Sequence, residues 1–140
     1  MQFAANVTNT SYTHSGLQNG TRYYYYIKAN NSAGSSDFSS TRAGITILPA
    51  PSSVTATGIS GFRANVSWSS VPGATSYEVY YDLGNITNPF GGRQYAGEFT
   101  GTSCTINVGS NLYLFVYVRA KNSIATSELR AAPRTQAGSY

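Results

Sequence analysis

The 140-residue sequence predicts an all-β protein, an antiparallel sandwich of two sheets, and three observations carry that reading. Short apolar alternations recur at Tyr23 to Ala29, Ala64 to Trp68, Tyr77 to Tyr81 and Leu114 to Ala120, and a period of two marks a strand with one buried face. Between them lie segments rich in Gly, Asn, Ser and Pro, the residues of tight turns. Finally, the stretch Leu17-Gln-Asn-Gly-Thr-Arg-Tyr23-Tyr-Tyr-Tyr-Ile27-Lys-Ala29 has a degenerate echo from Val108 to Ala120. Registering Ala29 on Ala120 also aligns Lys28 with Arg119, Asn31-Ser32 with Asn122-Ser123, Ser36 with Ser127, and Asp37-Phe38 with Glu128-Leu129. A period of about ninety residues suits a bead-like domain and is too long for a solenoid.

Composition agrees. Charged residues are scarce, and only two lysines occur, Lys28 and Lys121, so long helical runs are not expected. Nine Lys+Arg stand against five Asp+Glu, and the basic residues (Arg22, Lys28, Arg42, Arg63, Arg93, Arg119, Lys121, Arg130, Arg134) are dispersed. That pattern reads as a solvated basic surface, with no nucleic-acid partner and no membrane insertion expected. Cys104 is alone, which excludes an intramolecular disulfide or a cysteine metal cluster, and its register points it at the core as a small apolar residue. No stretch is apolar and long enough to cross a bilayer, and residues 1–20 lack a secretory signal.

Taken in order, residues 1–11 are polar and weakly patterned. Tyr12 to Leu17 reads as a short strand closed by Asn19-Gly20, a strong turn signal. A strand follows from Tyr23 to Ala29, then an Asn/Ser/Gly loop to Ser36 and a last strand from Thr41 to Ile47. Leu48-Pro49-Ala50-Pro51 is the clearest boundary, because two prolines favour an extended connection. Beyond it come strands at Val54 to Thr57, Ala64 to Trp68, Tyr77 to Tyr81, Gln94 to Phe99, Ser103 to Val108, Leu112 to Ala120 and Leu129 to Arg134. Glu78 and Tyr80 face outward, and Asp82 to Gly92 reads as a loop. Seven strands joined by turns are the pattern of a sandwich.

The second block resembles a fibronectin type III domain, on Pro49-Ala50-Pro51, the tryptophan Trp68, the approach Pro72-Gly73-Ala74-Thr75-Ser76-Tyr77, and Val118-Arg119-Ala120-Lys121-Asn122. The first block resembles only the rear half of such a domain. Leu17-x-Asn19-x-Thr21-x-Tyr23 matches the family's turn into the sixth strand, with Asn where Pro is usual. The resemblance implies an immunoglobulin-like sandwich with a tyrosine corner at Tyr23, its hydroxyl bonded to nearby backbone. Leu114 stands at the matching place in the second block, so no such bond is expected there. The expected organisation is a partial block at 1–47, a Pro-rich linker at 48–51, a complete domain at 52–136 and a tail at 137–140.

The first block carries an inward face of Tyr23, Tyr25 and Ile27 but lacks its opening strands. Burying such a face is worth about 1.5–3 kcal/mol per large side chain, and two or three strands are rarely stable alone. It is a piece of a longer array, or it packs on the second domain, or it pairs with another chain by strand swapping through 12–29.

Catalysis is not expected, and no cofactor or metal is. His14 is the single histidine, with no acid or nucleophile spaced to serve it. The carboxylates Asp37, Glu78, Asp82, Glu98 and Glu128 show no glycosidase pairing, although Asp82 and Glu98 are candidates to meet across a loop. Outward aromatics offer a binding face instead: Tyr24 and Tyr26 in the first block, and Tyr80, Tyr113, Phe115 and Tyr117 beside Arg119 in the second. Such a face stacks on sugars, packs on protein or simply stabilises the sheet. The six Asn-x-Ser/Thr triplets, at Asn6, Asn9, Asn19, Asn30, Asn65 and Asn85, matter only in a eukaryotic secretory setting. The expected role is a non-catalytic spacer, adhesion or protein-interaction module of a larger extracellular or cell-surface protein, with neighbouring domains as partners. The alternative is a carbohydrate-binding accessory module of a secreted polysaccharide-degrading enzyme.

Overall fold

The structure is a computed structural model that describes residues 1–84, 93–108 and 113–136. Among the described residues every regular element is a strand. β1 (Arg22–Tyr25) and β4 (Arg42–Ile45) pair antiparallel, Tyr23 opposite Gly44, and between them β2 (Asn30–Asn31) and β3 (Gly34–Ser35) make a small hairpin.

From residue 54 onward two sheets face each other. β5 (Val54–Ile59), β6 (Arg63–Trp68) and β9 (Ser103–Asn107) lie in the order β5-β6-β9. The opposing sheet holds β7 (Ser76–Gly84), β8 (Arg93–Phe99) and β10 (Tyr113–Lys121), in the order β8-β7-β10. β11 (Arg130–Ala131) and β12 (Thr135–Gln136) both pair with the outer edge of β10. Pro133, with no N–H to give, separates these two short pieces of one strand.

Alternation builds the core. Val54, Ala64, Val66, Trp68 and Ile106 of one sheet meet Tyr77, Val79, Leu114, Val116, Val118 and Ala120 of the other, all buried. Trp68 packs its ring 5.6 Å from Tyr77 and 6.3 Å from Phe99, centroid to centroid. The Tyr77 hydroxyl accepts the Val71 N–H at 2.8 Å, a buried bond that ties the turn before β7 to the core. Leu48 and Pro51, on the connection between the blocks, are buried as well.

Several expectations need correction. Tyr12 to Leu17 forms no strand, because His14 and its neighbours find aromatic rings rather than a ladder. The strand expected over Tyr23 to Ala29 stops at Tyr25; Ser39 Oγ accepts the Ile27 N–H at 3.0 Å, and Ile27 is 72% exposed rather than inward. Asp82 does not open a loop, since β7 runs on to Gly84. Glu78 points outward but is buried there beneath Arg119 and Lys121. Asp82 and Glu98 do not meet: Asp82 lies opposite Arg93, and Glu98 opposite Glu78. Cys104 packs against the core from a half-buried position. The expectations for Leu112, the Asn85 triplet, the end of the loop to Gly92 and the tail at 137–140 fall outside the described residues.

Candidate functional site

Among the described residues, two places stand out as candidate sites. One is the seam where the turn Gln18–Gly20 meets the Pro72-Gly73 turn and the loop after β10. Asn122 stands at its centre. Its Oδ1 accepts the N–H groups of Ile124 at 2.8 Å and Ala125 at 2.7 Å, which fixes the carboxamide. Its Nδ2 then donates to Gly20 O at 3.0 Å and Gly73 O at 2.9 Å, so the amide's donors and acceptors are all used. Asn19 Nδ2 donates to Pro72 O at 3.2 Å alongside.

The two glycines are required by this approach. Gly20 has φ +57°, and a Cβ there would lie 2.6 Å from Asn122 Nδ2. Gly73 has φ +94°, and a Cβ would lie 2.8 Å from Asn19 O. Both the backbone region and the space demand the missing side chain. An open polar cleft runs along the seam between Gln18, Asn19 and Thr21 on one side and Pro72, Gly73 and Asn122 on the other.

The turn is braced from behind. Gln18 N–H donates to the Tyr23 hydroxyl at 2.9 Å, the corner that the family resemblance implied. Thr46 Oγ1 donates to Gln18 O at 2.6 Å, and the ladder of β1 and β4 runs on through Thr46 N–H to Thr21 O and Gly20 N–H to Ile47 O.

The other place is the outer face of the β8-β7-β10 sheet. Register sets its rungs: Phe115, Asp82 and Arg93; Tyr117, Tyr80 and Tyr95; Arg119, Glu78 and Glu98. Tyr80, Tyr117 and Arg119 therefore lie together on this face. Arg93 lies over the Tyr117 ring at 4.3 Å, Arg134 over Tyr113 at 4.4 Å and Arg119 over Tyr80 at 5.3 Å. Tyr80 also packs 5.3 Å from Tyr95.

Like charges opposite one another repel. Glu78 and Glu98 are such a pair, and Lys121 Nζ sits between them, 3.2 Å from Glu78 Oε1 and 3.6 Å from Glu98 Oε2. Arg119 reaches Glu78 Oε2 at 2.6 Å, and the Tyr80 hydroxyl donates to the same oxygen at 2.9 Å. Burial pushes the Glu78 carboxyl up, but these hydrogen bonds outweigh it and hold the group below the usual carboxylate range. Burial and the bond to Glu78 push the Tyr80 hydroxyl up. In the first block, Tyr24 and Tyr26 are exposed, Tyr26 packing edge-on against Phe38.

His14 bonds the Tyr25 hydroxyl through Nδ1 at 3.2 Å and has no carboxylate beside it among the described residues. No three His, Cys, Asp or Glu side chains gather there as a metal site would require.

The sequence reading missed Asn122 as a clamp and Arg93, Tyr95 and Arg134 as partners of the outer tyrosines. For Asn122 a signal existed, the alignment of Asn31 with Asn122 in the repeat. For the others none did, because which side chains fall beside the outer tyrosines is set by the register of strands distant in sequence.

No family model and no curated protein matches this chain. Solved structures do. The chain is similar to FN3tt at 20% identity and TM-score 0.55, over 66% of this chain and 97% of that one. It is similar to a two-domain fibronectin type III segment of chicken tenascin at 22% identity and TM-score 0.68, over 86% of this chain and 67% of that one. The FN1–FN3 domains of chicken CNTN1 match at 21% identity and TM-score 0.54, over 91% of this chain and 44% of that one.

Proposed function

We propose, from the fibronectin type III fold of this chain, that it is a non-catalytic spacer and protein-interaction module within a longer multidomain protein. The observation that carries this reading is the seam at Asn122. A single amide, saturated in all its hydrogen bonds, holds a turn of one block against two turns of the next. Catalysis needs convergent reactive groups; a spacer needs its units held at a set angle, and a saturated contact of this kind supports that reading. Placing the parent protein outside the cell or on its surface rests on the Tyr-, Asn-, Ser- and Gly-rich composition, which looks similar to repeats in secreted bacterial proteins.

Residual dipolar couplings of the 140-residue chain in one alignment medium test the spacer role. A single alignment tensor for β1/β4 and for the sandwich is expected, and two independent tensors would sink the reading. Carbohydrate binding through Tyr80, Phe115 and Tyr117 is the less favoured function, because sugar stacking needs a bare ring and Arg93 already lies over Tyr117. Polysaccharide retention that is lost in Tyr117→Ala would reverse that preference.

A further inference from the structure

The hairpin formed by β2 and β3 is a copy of the loop that makes the seam. With Asn31 set on Asn122, the local hydrogen bonds of one loop find counterparts in the other. Asn31 Oδ1 accepts the N–H groups of Ala33 at 2.8 Å and Gly34 at 3.1 Å, as Asn122 Oδ1 accepts those of Ile124 and Ala125. Ala29 N–H donates to Ser36 Oγ at 2.8 Å, as Ala120 N–H donates to Ser127 Oγ at 2.8 Å. Ser36 N–H returns to Ala29 O at 2.8 Å, as Ser127 N–H returns to Ala120 O at 2.8 Å. Ser36 Oγ donates to Asp37 O at 2.9 Å, and Ser127 Oγ to Glu128 O at 2.8 Å.

The two loops differ at the amide nitrogen, where Asn122 meets one carbonyl across the seam and one from a turn of its own block. Asn122 Nδ2 spends both protons on the carbonyls of Gly20 and Gly73, whereas Asn31 Nδ2 has no partner among the described residues. It belongs to a shallow open cleft between Asn30, Asn31, Ala33 and Ser35. An exposed amide is ordinarily satisfied by water. What points further is that Asn31 is held by the same bonds that aim Asn122 at a neighbouring turn.

We propose that the β2–β3 hairpin is a second joint, a docking site for the tight turn of another domain of this fold. A carbonyl of that turn takes Asn31 Nδ2 as Gly20 O takes Asn122 Nδ2. The contact is head-to-tail, one kind of surface meeting another, so it extends an array rather than closing a dimer. This rests on reading the Asn122 contact as a joint between units.

The probe is a head-to-tail cyclised peptide of residues 15–24, Ser-Gly-Leu-Gln-Asn-Gly-Thr-Arg-Tyr-Tyr, added to the ¹⁵N-labelled 140-residue chain. The side-chain amide signals of Asn31 shift saturably with peptide, and those of Asn122, already engaged, stay in place. Asn31→Asp keeps the oxygen that holds the hairpin and loses the donor, so binding weakens by roughly 2- to 12-fold, about the value of one hydrogen bond to a carbonyl. An unmoved Asn31, or an equal response in the Asp variant, overturns the proposal. The joint reading has its own readout in the peptide-free chain: Asn122 amide protons exchanging as fast as those of Asn31 would sink it independently.

Discussion

Asn122 Nδ2 donates to the carbonyl of Gly20 across 102 residues of sequence. Asn122→Asp keeps the Oδ1 bonds to Ile124 and Ala125 but removes both donors and sets a carboxylate against two carbonyls. Losing two such bonds, one part-buried and one exposed, costs about 1–3 kcal/mol in all. Amide exchange at Gly20, Thr21 and Thr46 is expected to quicken while Val66 and Val118 keep their protection. Equal acceleration in both sets would mean that the seam is not a separable unit.

Glu78→Gln addresses acid stability. The folded-state pKa of Glu78 is depressed, so its contribution is present above the unfolded value and is lost as pH falls through the folded value. The native protein is expected to lose stability on acidification below the usual carboxylate range, and the Gln variant to show a flatter acid limb. Urea midpoints measured between neutral pH and about pH 2 read this, the lower end lying under the ordinary Glu value. Parallel curves for the two proteins would remove Glu78 as the cause.

Tyr23→Phe tests the corner behind the seam. Its hydroxyl accepts the Gln18 N–H at 2.9 Å, and the turn that Gln18 begins carries Gly20 to Asn122. Loss of one such bond costs about 0.5–1.5 kcal/mol. Exchange should quicken at Gln18 and Gly20 with little effect on the sandwich core. No change at Gln18 would show that the bond contributes nothing to the turn.

How much of this was legible in the sequence follows from what each feature depends on. Ala64, Val66 and Trp68, and Leu114, Val116, Val118 and Ala120, were readable because alternation is a local signal and a sandwich buries one face of each strand. The corner at Tyr23 was readable through resemblance, since its partner Gln18 lies five residues away. The end of β1 at Tyr25 was not: Tyr24, Tyr26 and Ile27 continue a strand-like composition, and only the capture of the Ile27 N–H by Ser39 ends the ladder. Nor was the covering of Glu78, whose partners lie more than forty residues on: register sets Arg119 opposite it, and Lys121 reaches it diagonally from opposite Ser76. The seam depended on a turn at Gly20 meeting another at Gly73, a meeting that no local pattern encodes.

Cys104 reports on the edge strand β9. Its side chain packs against the core opposite Val66, and burial pushes the thiol up to about 11. Because the thiolate is the reactive form, native labelling near pH 8 should run on the order of a hundredfold slower than in the unfolded chain. Sub-denaturing urea should raise the labelling rate, since β9 lies at the end of the β5-β6-β9 sheet and, among the described residues, pairs with β6 alone. A rate that rises well before the Val118 amide loses protection would show that β9 opens by itself; a rate that follows global unfolding would show that the edge opens only with the whole sandwich. Labelling of the folded chain at the unfolded rate would contradict the burial of the thiol itself.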